Sequence, residues 1–418
     1  MTDSFDVLVV GSGHGGTHTA VALRQRGFTG TIAIATAEDE PPYQRPPLSK
    51  RYLSRDLDRE RILLRPAGFW AERGVAILGG RRVDEIHPNR REVRTSEGAV
   101  VGYGSLVWAA GSAAKTLDCQ GHQLAGIHTL RSLADTDAVL RELSEVSEVV
   151  VIGGGYIGLE AAASLTKLGL KVSVVEPLTR VLSRACAEPV SRFLEREHRR
   201  HGVTLHLGVG LAAFVGENGR LTSSVLTDGS LLPAQLAIVG IGAQPAIGAL
   251  LRAGAAGGDG VTVDADGRTS LSGVYAIGDC AAQVAPFGDG VRLRLESVQN
   301  AVDQADATAA ALCSAPRPAP APATFWSDQY SHRLRIVGLS HGSDTTVVRG
   351  DPASGTFSVV HLRHGRVAAV ESVNAMKDFA AGRGLVAART AAEPGRLADP
   401  DVPLRDLLRP SRHPAPSI

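Results

Sequence analysis

Aromatic residues are scarce in this chain of 418 residues, where Phe, Trp and Tyr together make up 4%. A dominant charge is also missing: 44 Lys and Arg face 43 Asp and Glu, for a formal net charge of +1. That balance excludes the usual nucleic-acid binder, which carries a cationic stripe or a high isoelectric point. Lysine itself is nearly absent, 5 against 39 arginines, a bias of base composition. The four cysteines, Cys119, Cys186, Cys280 and Cys313, form no C-x-x-C and show no metal-like spacing with histidine. A disulfide scaffold and a metal site are therefore not expected. No apolar run approaches the ~18 residues of a membrane span. The short acidic start, Met1–Phe5, enters a strand at once, so no signal peptide is expected and a soluble cytoplasmic protein is the default.

What is present is glycine, 47 residues, and apolar residues, 44% of the chain. At ~100–200 residues per domain the length allows two to four domains. Asp6–Val10 is a short apolar run ending in glycines, which reads as a parallel strand buried on both faces. A helical pattern over Thr17–Arg26 and a strand over Thr31–Ala35 complete a βαβ unit. A second unit opens at Glu148–Ile152, followed by a helix over Tyr156–Leu168 and a strand over Lys171–Val175. Leu236–Ile241 and Val274–Ile277 read as later strands, and Gln299–Leu312 as an Ala-rich helix. Ser314–Thr324 is a Pro/Ala-rich connector. Beyond it, strand-like runs at Leu334–Leu339, Thr356–Leu362 and Val367–Val373 and a helix over Phe379–Arg389 suffice for a small third domain. The tail Arg409–Ile418 is expected to be mobile.

Gly11-Ser-Gly-His-Gly-Gly16 fits G-x-G-x-x-G between a strand and a helix. In that motif Gly11 allows the tight turn, Gly13 lets the backbone approach a pyrophosphate, and Gly16 lets helix and strand pack closely, with Gly15 beside it. The helix N-terminus then offers free N–H groups to the diphosphate. Glu38 follows Gly16 by 22 residues, where a carboxylate can accept from a ribose diol. Gly153-Gly-Gly-Tyr-Ile-Gly158 is a second match through Gly153, Gly155 and Gly158, with Glu176 following by 18 residues. Two such fingerprints imply two nucleotides, most economically a flavin and a nicotinamide. Glu176 favours NADH, because its charge repels a 2′-phosphate, with Arg180 nearby as a counterweight. Tyr275-Ala-Ile-Gly-Asp279 places Asp279 at a strand end, able to accept from a ribityl hydroxyl. Glu296-Ser297-Val298 precedes the Ala-rich helix. Ser297 can cap that helix, and free N–H groups such as that of Val298 can meet negative charge on reduced flavin.

These motifs, together with Pro46-Pro-Leu-Ser-Lys50, Tyr156-Ile-Gly-Leu-Glu160, Val239-Gly-Ile-Gly242, Arg294-Leu-Glu-Ser-Val-Gln-Asn-Ala301 and Phe325-Trp-Ser-Asp-Gln-Tyr330, resemble the FAD-dependent ferredoxin reductases of the putidaredoxin reductase type. Those flavoproteins are similar in fold to glutathione reductase and lack its redox disulfide. The resemblance spans residues 5 to about 340. It implies an α/β fold with two Rossmann-like domains, the NAD domain inserted in the FAD domain, plus a small C-terminal α+β domain. The expected divisions are 1–115 and 245–320 for FAD, 116–244 for NADH and 321–418 for the C-terminal interface domain. It also implies Lys50 near flavin N5 paired with Glu160, a flavin contact from Arg45, and Trp326 close to the flavin. Tyr156, Ile157 and Gly242 fall on the nicotinamide side. Ala110-Gly111 stands where the family usually has Thr-Gly, so one hydroxyl is missing near the flavin nucleotide. His14 replaces a neutral residue and has two readings, a contact to diphosphate or flavin edge, or a tolerated side chain.

The implied activity is NADH-dependent reduction of FAD followed by single-electron transfer to an iron–sulfur ferredoxin, expected to be [2Fe–2S]. The chain has no cluster motif of its own, so the cluster lies in a partner. Acceptors considered are the ferredoxin of a haem-thiolate monooxygenase (cytochrome P-450 type), that of an aromatic-ring dioxygenase, and rubredoxin. Val298, where ring-dioxygenase reductases tend to carry tryptophan, favours the first. A disulfide or peroxide reductase would need a reactive cysteine, and residues 38–60 contain none. A signalling flavoprotein is a further alternative. Arg333, Arg335, Arg363 and Arg366 are candidates for steering an acidic ferredoxin. A monomer or weak dimer is expected.

Overall fold

Alternating short apolar strands and helices, each strand buried on both faces, dictate parallel sheets with helical cover. The computed structural model describes residues 3–66 and 68–408 and follows that rule. The tail expected to be mobile, Arg409–Ile418, lies outside the described residues. The chain divides into two compact units. The first gathers the residues up to Leu48, Arg55–Ala114 and Ala243–Ala321. The second gathers Ser49–Ser54, Lys115–Gly242 and the residues from Pro322 onward.

In the first unit a seven-stranded sheet is built on Asp3–Val10. Ile32–Ala35 and then Val75–Leu78 lie on one side of it, and Val100–Trp108 on the other, all parallel. The return of the chain after the inserted segment is explicit: Val274–Ala276 pairs in parallel with Leu106–Trp108. The strand order therefore reverses beside Asp3–Val10, and the first glycine loop leaves the carboxyl end of that strand. This is where open α/β sheets bind ligands. The helix His14–Gln25 packs on the helix Val298–Leu312 through small residues such as Ala305 and Ala309, both fully buried. The helix starts three residues before the predicted Thr17. Gly15 and Gly16 depress helix propensity, yet close packing requires them inside the first turn.

The second unit repeats the design. Thr204–Leu207, Lys171–Glu176, Glu148–Ile152, Leu236–Val239 and Ile127–His128 form a five-stranded parallel sheet in that order. The order again reverses beside the strand that feeds the glycine loop. A three-stranded antiparallel sheet, Leu211–Glu217, Arg220–Leu226 and Leu231–Pro233, follows. The C-terminal segment has its own five-stranded antiparallel sheet, ordered Thr324–Gln329, His332–Gly338, Arg366–Val373, Thr356–Arg363 and Thr345–Asp351. The helix Met376–Ala387 covers it. Two of these strands, Thr324–Gln329 and Thr345–Asp351, are not expected from the sequence pattern; both are polar and lie at the sheet edges. The helix Glu188–Arg200 joins this sheet to the rest of the unit in one core of Phe193, Leu194, Leu334, Phe357 and Val359. No helix among the described residues is long and apolar enough to cross a membrane.

Candidate dinucleotide-binding and redox site

Gly11 has φ 111°, and a Cβ there would lie 2.3 Å from the Ala109 carbonyl oxygen. A Cβ on Gly16 would lie 1.9 Å from the Gly11 carbonyl oxygen, so only glycine fits the approach of helix to loop. Gly13 differs: a Cβ there meets no atom within 4 Å. It is the N-cap of the helix and provides no side-chain cap, which leaves an open approach to free N–H groups, as a diphosphate requires. Gly15 packs against Ile277 and Ala301. Burial and the nearby Arg45 push the His14 imidazole down to about 4, so it is neutral at physiological pH. Ser12 Oγ and Thr36 Oγ1, 2.9 Å apart, fasten the loop to the next strand.

Arg45 lies among acidic groups of this unit. Its guanidinium donates to Glu38 at 2.6 Å, and the Tyr43 hydroxyl donates to the other Glu38 oxygen at 2.5 Å. Burial opposes the Arg45 charge, but Tyr43, Glu38 and Asp279 outweigh it and raise its pKa. Glu38 is thus an anchor for Arg45, while each of its oxygens keeps lone-pair capacity for a ribose hydroxyl. Asp279 sits in the turn Gly278–Cys280, after the strand Val274–Ala276. Its carbonyl accepts from Arg294 at 3.0 Å, and Arg294 also pairs with Glu296. Glu296 is therefore an exposed partner of Arg294. Ser297 caps the helix Val298–Leu312, accepting from Asn300 N–H at 3.0 Å. Gly111 has φ 67°, and the neighbouring Ala110 packs against the apolar core.

The second loop reproduces the first. Gly153 has φ 110°, and its Cβ would lie 2.4 Å from the Gly240 carbonyl oxygen; a Cβ on Gly158 would lie 2.1 Å from that of Gly153. Gly155 is again the open N-cap, its nearest neighbour 3.9 Å from a Cβ. Glu176 ends its strand 8% exposed, accepting from Gly154 N–H at 2.7 Å and Leu178 N–H at 2.9 Å. Arg180, the sequence counterweight, is spent elsewhere: it donates to the carbonyls of Cys186 and Ser183 and to Ser191 Oγ. Tyr156 opens the helix, its hydroxyl 3.0 Å from Cys186 Sγ and its ring 4.4 Å from that of Phe325. Ile157 is exposed although apolar. Gly242 has φ 111°.

Lys50 and Glu160 meet as expected. Lys50 Nζ is 2.6 Å from Glu160 Oε2 and 4.8 Å from the centre of the Trp326 ring. Ser49 Oγ donates to the same carboxylate oxygen and Ser327 Oγ to the other, each at 2.6 Å. Ser49 lies inside Pro46-Pro-Leu-Ser-Lys50 and Ser327 inside Phe325-Trp-Ser-Asp-Gln-Tyr330, but their joint role needs contacts across 111 and 167 residues. Of the four arginines, Arg335 is paired with Asp328 at 2.6 Å, and Arg363 donates to the carbonyls of Leu339 and His341. Arg366 donates to the Arg389 carbonyl, and Arg333 is exposed. The four cysteines are free thiols. Burial pushes Cys280 up to about 12 and Cys186 higher still, so neither is a thiolate nucleophile.

Two repeated glycine loops, each at a strand-order switch and each with an acidic residue at or just past the end of its second strand, define a two-dinucleotide-binding flavoprotein. The family described as pyridine nucleotide-disulphide oxidoreductase matches residues 5–305, and the one described as reductase C-terminal matches 324–408. A ferredoxin–NAD(P)(+) reductase from Sphingomonas sp is 52% identical over 98% of this chain and 100% of its own. The crystal structure of the covalent putidaredoxin reductase–putidaredoxin complex superposes with a TM-score of 0.93, at 36% identity, covering 97% of this chain and 98% of that one. The ferredoxin reductase for the CYP199A2 system from Rhodopseudomonas palustris has the same TM-score and identity, covering 98% and 100%. The chain belongs to the FAD-dependent NAD(P)H:ferredoxin reductases of the pyridine nucleotide-disulphide oxidoreductase family. Membership implies FAD and a nicotinamide coenzyme.

The open and closed glycines of one loop make separate predictions. Gly155→Ala adds a methyl to open space at φ −79°, so the fold is kept and the KM for NADH rises about tenfold as the diphosphate is held off. Gly158→Ala drives a methyl into the Gly153 carbonyl and costs about 3 kcal/mol or more of stability. Thermal melts and NADH kinetics on both variants check this; equal melting losses would contradict the assignment of Gly155.

Proposed function

We propose that this protein oxidises NADH and delivers the electrons one at a time to a [2Fe–2S] ferredoxin that supplies a cytochrome P450-type monooxygenase. The repeated loop carries the reading: two cradles for diphosphates in a chain whose buried thiols are inert. Bound FAD supplies the conversion of a two-electron donor into one-electron steps. In the first unit, Gly13 and the helix beginning at His14 hold the FAD diphosphate, with neutral His14 adding no charge. Glu38 takes a ribose hydroxyl, while Arg45, Ala110, Gly111 and Asp279 border the rest of the flavin nucleotide. The N–H of Val298, at the helix start capped by Ser297, would meet negative charge on a reduced flavin. Glu296 acts through Arg294.

In the second unit, Gly155, Tyr156, Ile157 and Gly242 border the NADH, and Glu176 accepts from the adenosine ribose. A fixed buried carboxylate there repels a 2′-phosphate, and Arg180 is too engaged to attract one. Lys50, held by Glu160, supplies positive charge toward the flavin, and Trp326 lies over the same ammonium. Exposed Arg333 contributes to docking an acidic ferredoxin. The protein acts as a monomer or weak dimer.

Glu176→Ala is expected to raise KM for NADH about tenfold and to lower that for NADPH, narrowing the preference. A wild-type preference for NADPH in steady-state kinetics would overturn the assignment of Glu176. The acceptor is tested by NADH-driven reduction of a ferredoxin panel and reconstitution of substrate turnover. Fast turnover with a P450-type monooxygenase and its ferredoxin is expected. Turnover only with a ring-dioxygenase ferredoxin or rubredoxin would reject that acceptor.

A further inference from the structure

The carboxylate of Glu160 terminates a longer line of hydrogen bonds within the second unit. Ser327 Oγ lies 2.6 Å from Glu160 Oε1, Gln329 Nε2 3.2 Å from Ser327 Oγ, His198 Nε2 2.9 Å from Gln329 Oε1, and the Tyr330 hydroxyl 3.0 Å from His198 Nδ1. Ser327, Gln329 and His198 are 1%, 3% and 0% exposed, so water does not replace these partners.

The direction of the line follows from the donor inventory. An ionised carboxylate only accepts, so Ser327 spends its one proton on Glu160. Ser327 must then accept from its other neighbour, which fixes the amide of Gln329 with its NH2 toward the serine and its oxygen toward His198. The His198 ring therefore donates from Nε2. Burial pushes this imidazole down to about 4, so it is neutral and its Nδ1 accepts from the Tyr330 hydroxyl. Every donor in the line points toward Glu160.

The far end is held at a backbone cost. Tyr330 occupies the tip of a two-residue hairpin between Gln329 and His332 with φ 53°, a region bulky residues rarely adopt. Its ring stacks on His201 at 3.7 Å between centroids and 12° between planes. The hairpin strand that leads into Tyr330 carries Trp326, Ser327 and Gln329. The strained tip, the amide and the serine thus act as one rigid fitting on the carboxylate that holds Lys50.

We propose that Gln329 and Ser327 are positioning residues for Lys50: by keeping Glu160 a fixed acceptor, they set where the ammonium sits and so tune flavin reduction. This rests on the reading above that Lys50 charges the flavin environment. Both act through the Glu160 carboxylate.

The test uses FAD-loaded enzyme carrying Gln329→Met, Ser327→Ala, Ser327→Thr and Lys50→Met, and the first two each combined with Lys50→Met. The midpoint potential of the bound flavin and the rate of its reduction by NADH are measured. Gln329→Met and Ser327→Ala are expected to lower the potential in the same direction as Lys50→Met and to slow reduction about five- to tenfold. In the Lys50→Met background they add nothing, because they act through Lys50. Ser327→Thr, which keeps the hydroxyl, stays near wild type. Should Gln329→Met fail to fold, Ser327→Ala reports on the same link. Wild-type potential and rate in Ser327→Ala alongside a lowered potential in Lys50→Met overturns the inference alone, as do effects that add in the double variants. An unchanged Lys50→Met overturns the reading of Lys50 itself.

Discussion

Burying a carboxylate is unfavourable by several kcal/mol unless its lone pairs are met, and Glu160, 2% exposed, is met by Ser49, Lys50 and Ser327. The carboxylate and its partners come from three different stretches of chain: the helix that follows the second glycine loop, the short Ser49–Ser54 segment, and the first strand of the C-terminal sheet. The Ser49–Ser54 segment is held further by Ser164 Oγ, which donates to the Ser49 carbonyl, and by the Tyr52 hydroxyl, which donates to Asp137 at 2.6 Å. These bonds explain why Ser49–Ser54 belongs to the second compact unit although its neighbours on both sides belong to the first. They also place the one lysine of the Pro-Pro-Leu-Ser-Lys motif where its charge is compensated without being exposed.

Around that anchor the molecule uses one device twice. In each unit a glycine at positive φ turns the chain at the end of the central strand, a second leaves space before a helix N-terminus, and a third lets the helix touch the loop's own carbonyl. The two loops differ in what surrounds them. The first is bordered by neutral His14 and the Arg45–Glu38–Asp279 group, the second by the fixed carboxylate of Glu176.

Much of this fold is legible in the amino-acid sequence alone. Apolar runs bounded by glycines locate the strand Glu148–Ile152 to the residue, and the return at Val274 is visible because Gly-Asp follows a strand there. Sequence pattern places the start of the first helix too late, because glycine, a poor helix former, is needed there for close packing. The edge strands Thr324–Gln329 and Thr345–Asp351 escape detection because polar edges lack the apolar signal on which periodicity depends. The partners of Glu160 cannot be read from spacing at all, since Ser327 is 167 residues away. Nor can the setting of the arginine clusters be read from spacing: Arg335 is ion-paired with Asp328, while Arg363 and Arg366 donate to neutral backbone carbonyls and keep their charge.

In the proposed function the chain links a two-electron donor to a one-electron acceptor, with the charge of Lys50 held in place by a buried carboxylate. An anaerobic titration tests that claim most directly. NADH is added to FAD-loaded protein while the flavin absorbance is followed, and oxidised [2Fe–2S] ferredoxin is then added. The account predicts bleaching by about one NADH per flavin, then recovery of the flavin band as about two ferredoxins are reduced for each NADH consumed. A flavin band that NADH does not bleach, or one that bleaches but is not restored by ferredoxin, would contradict it.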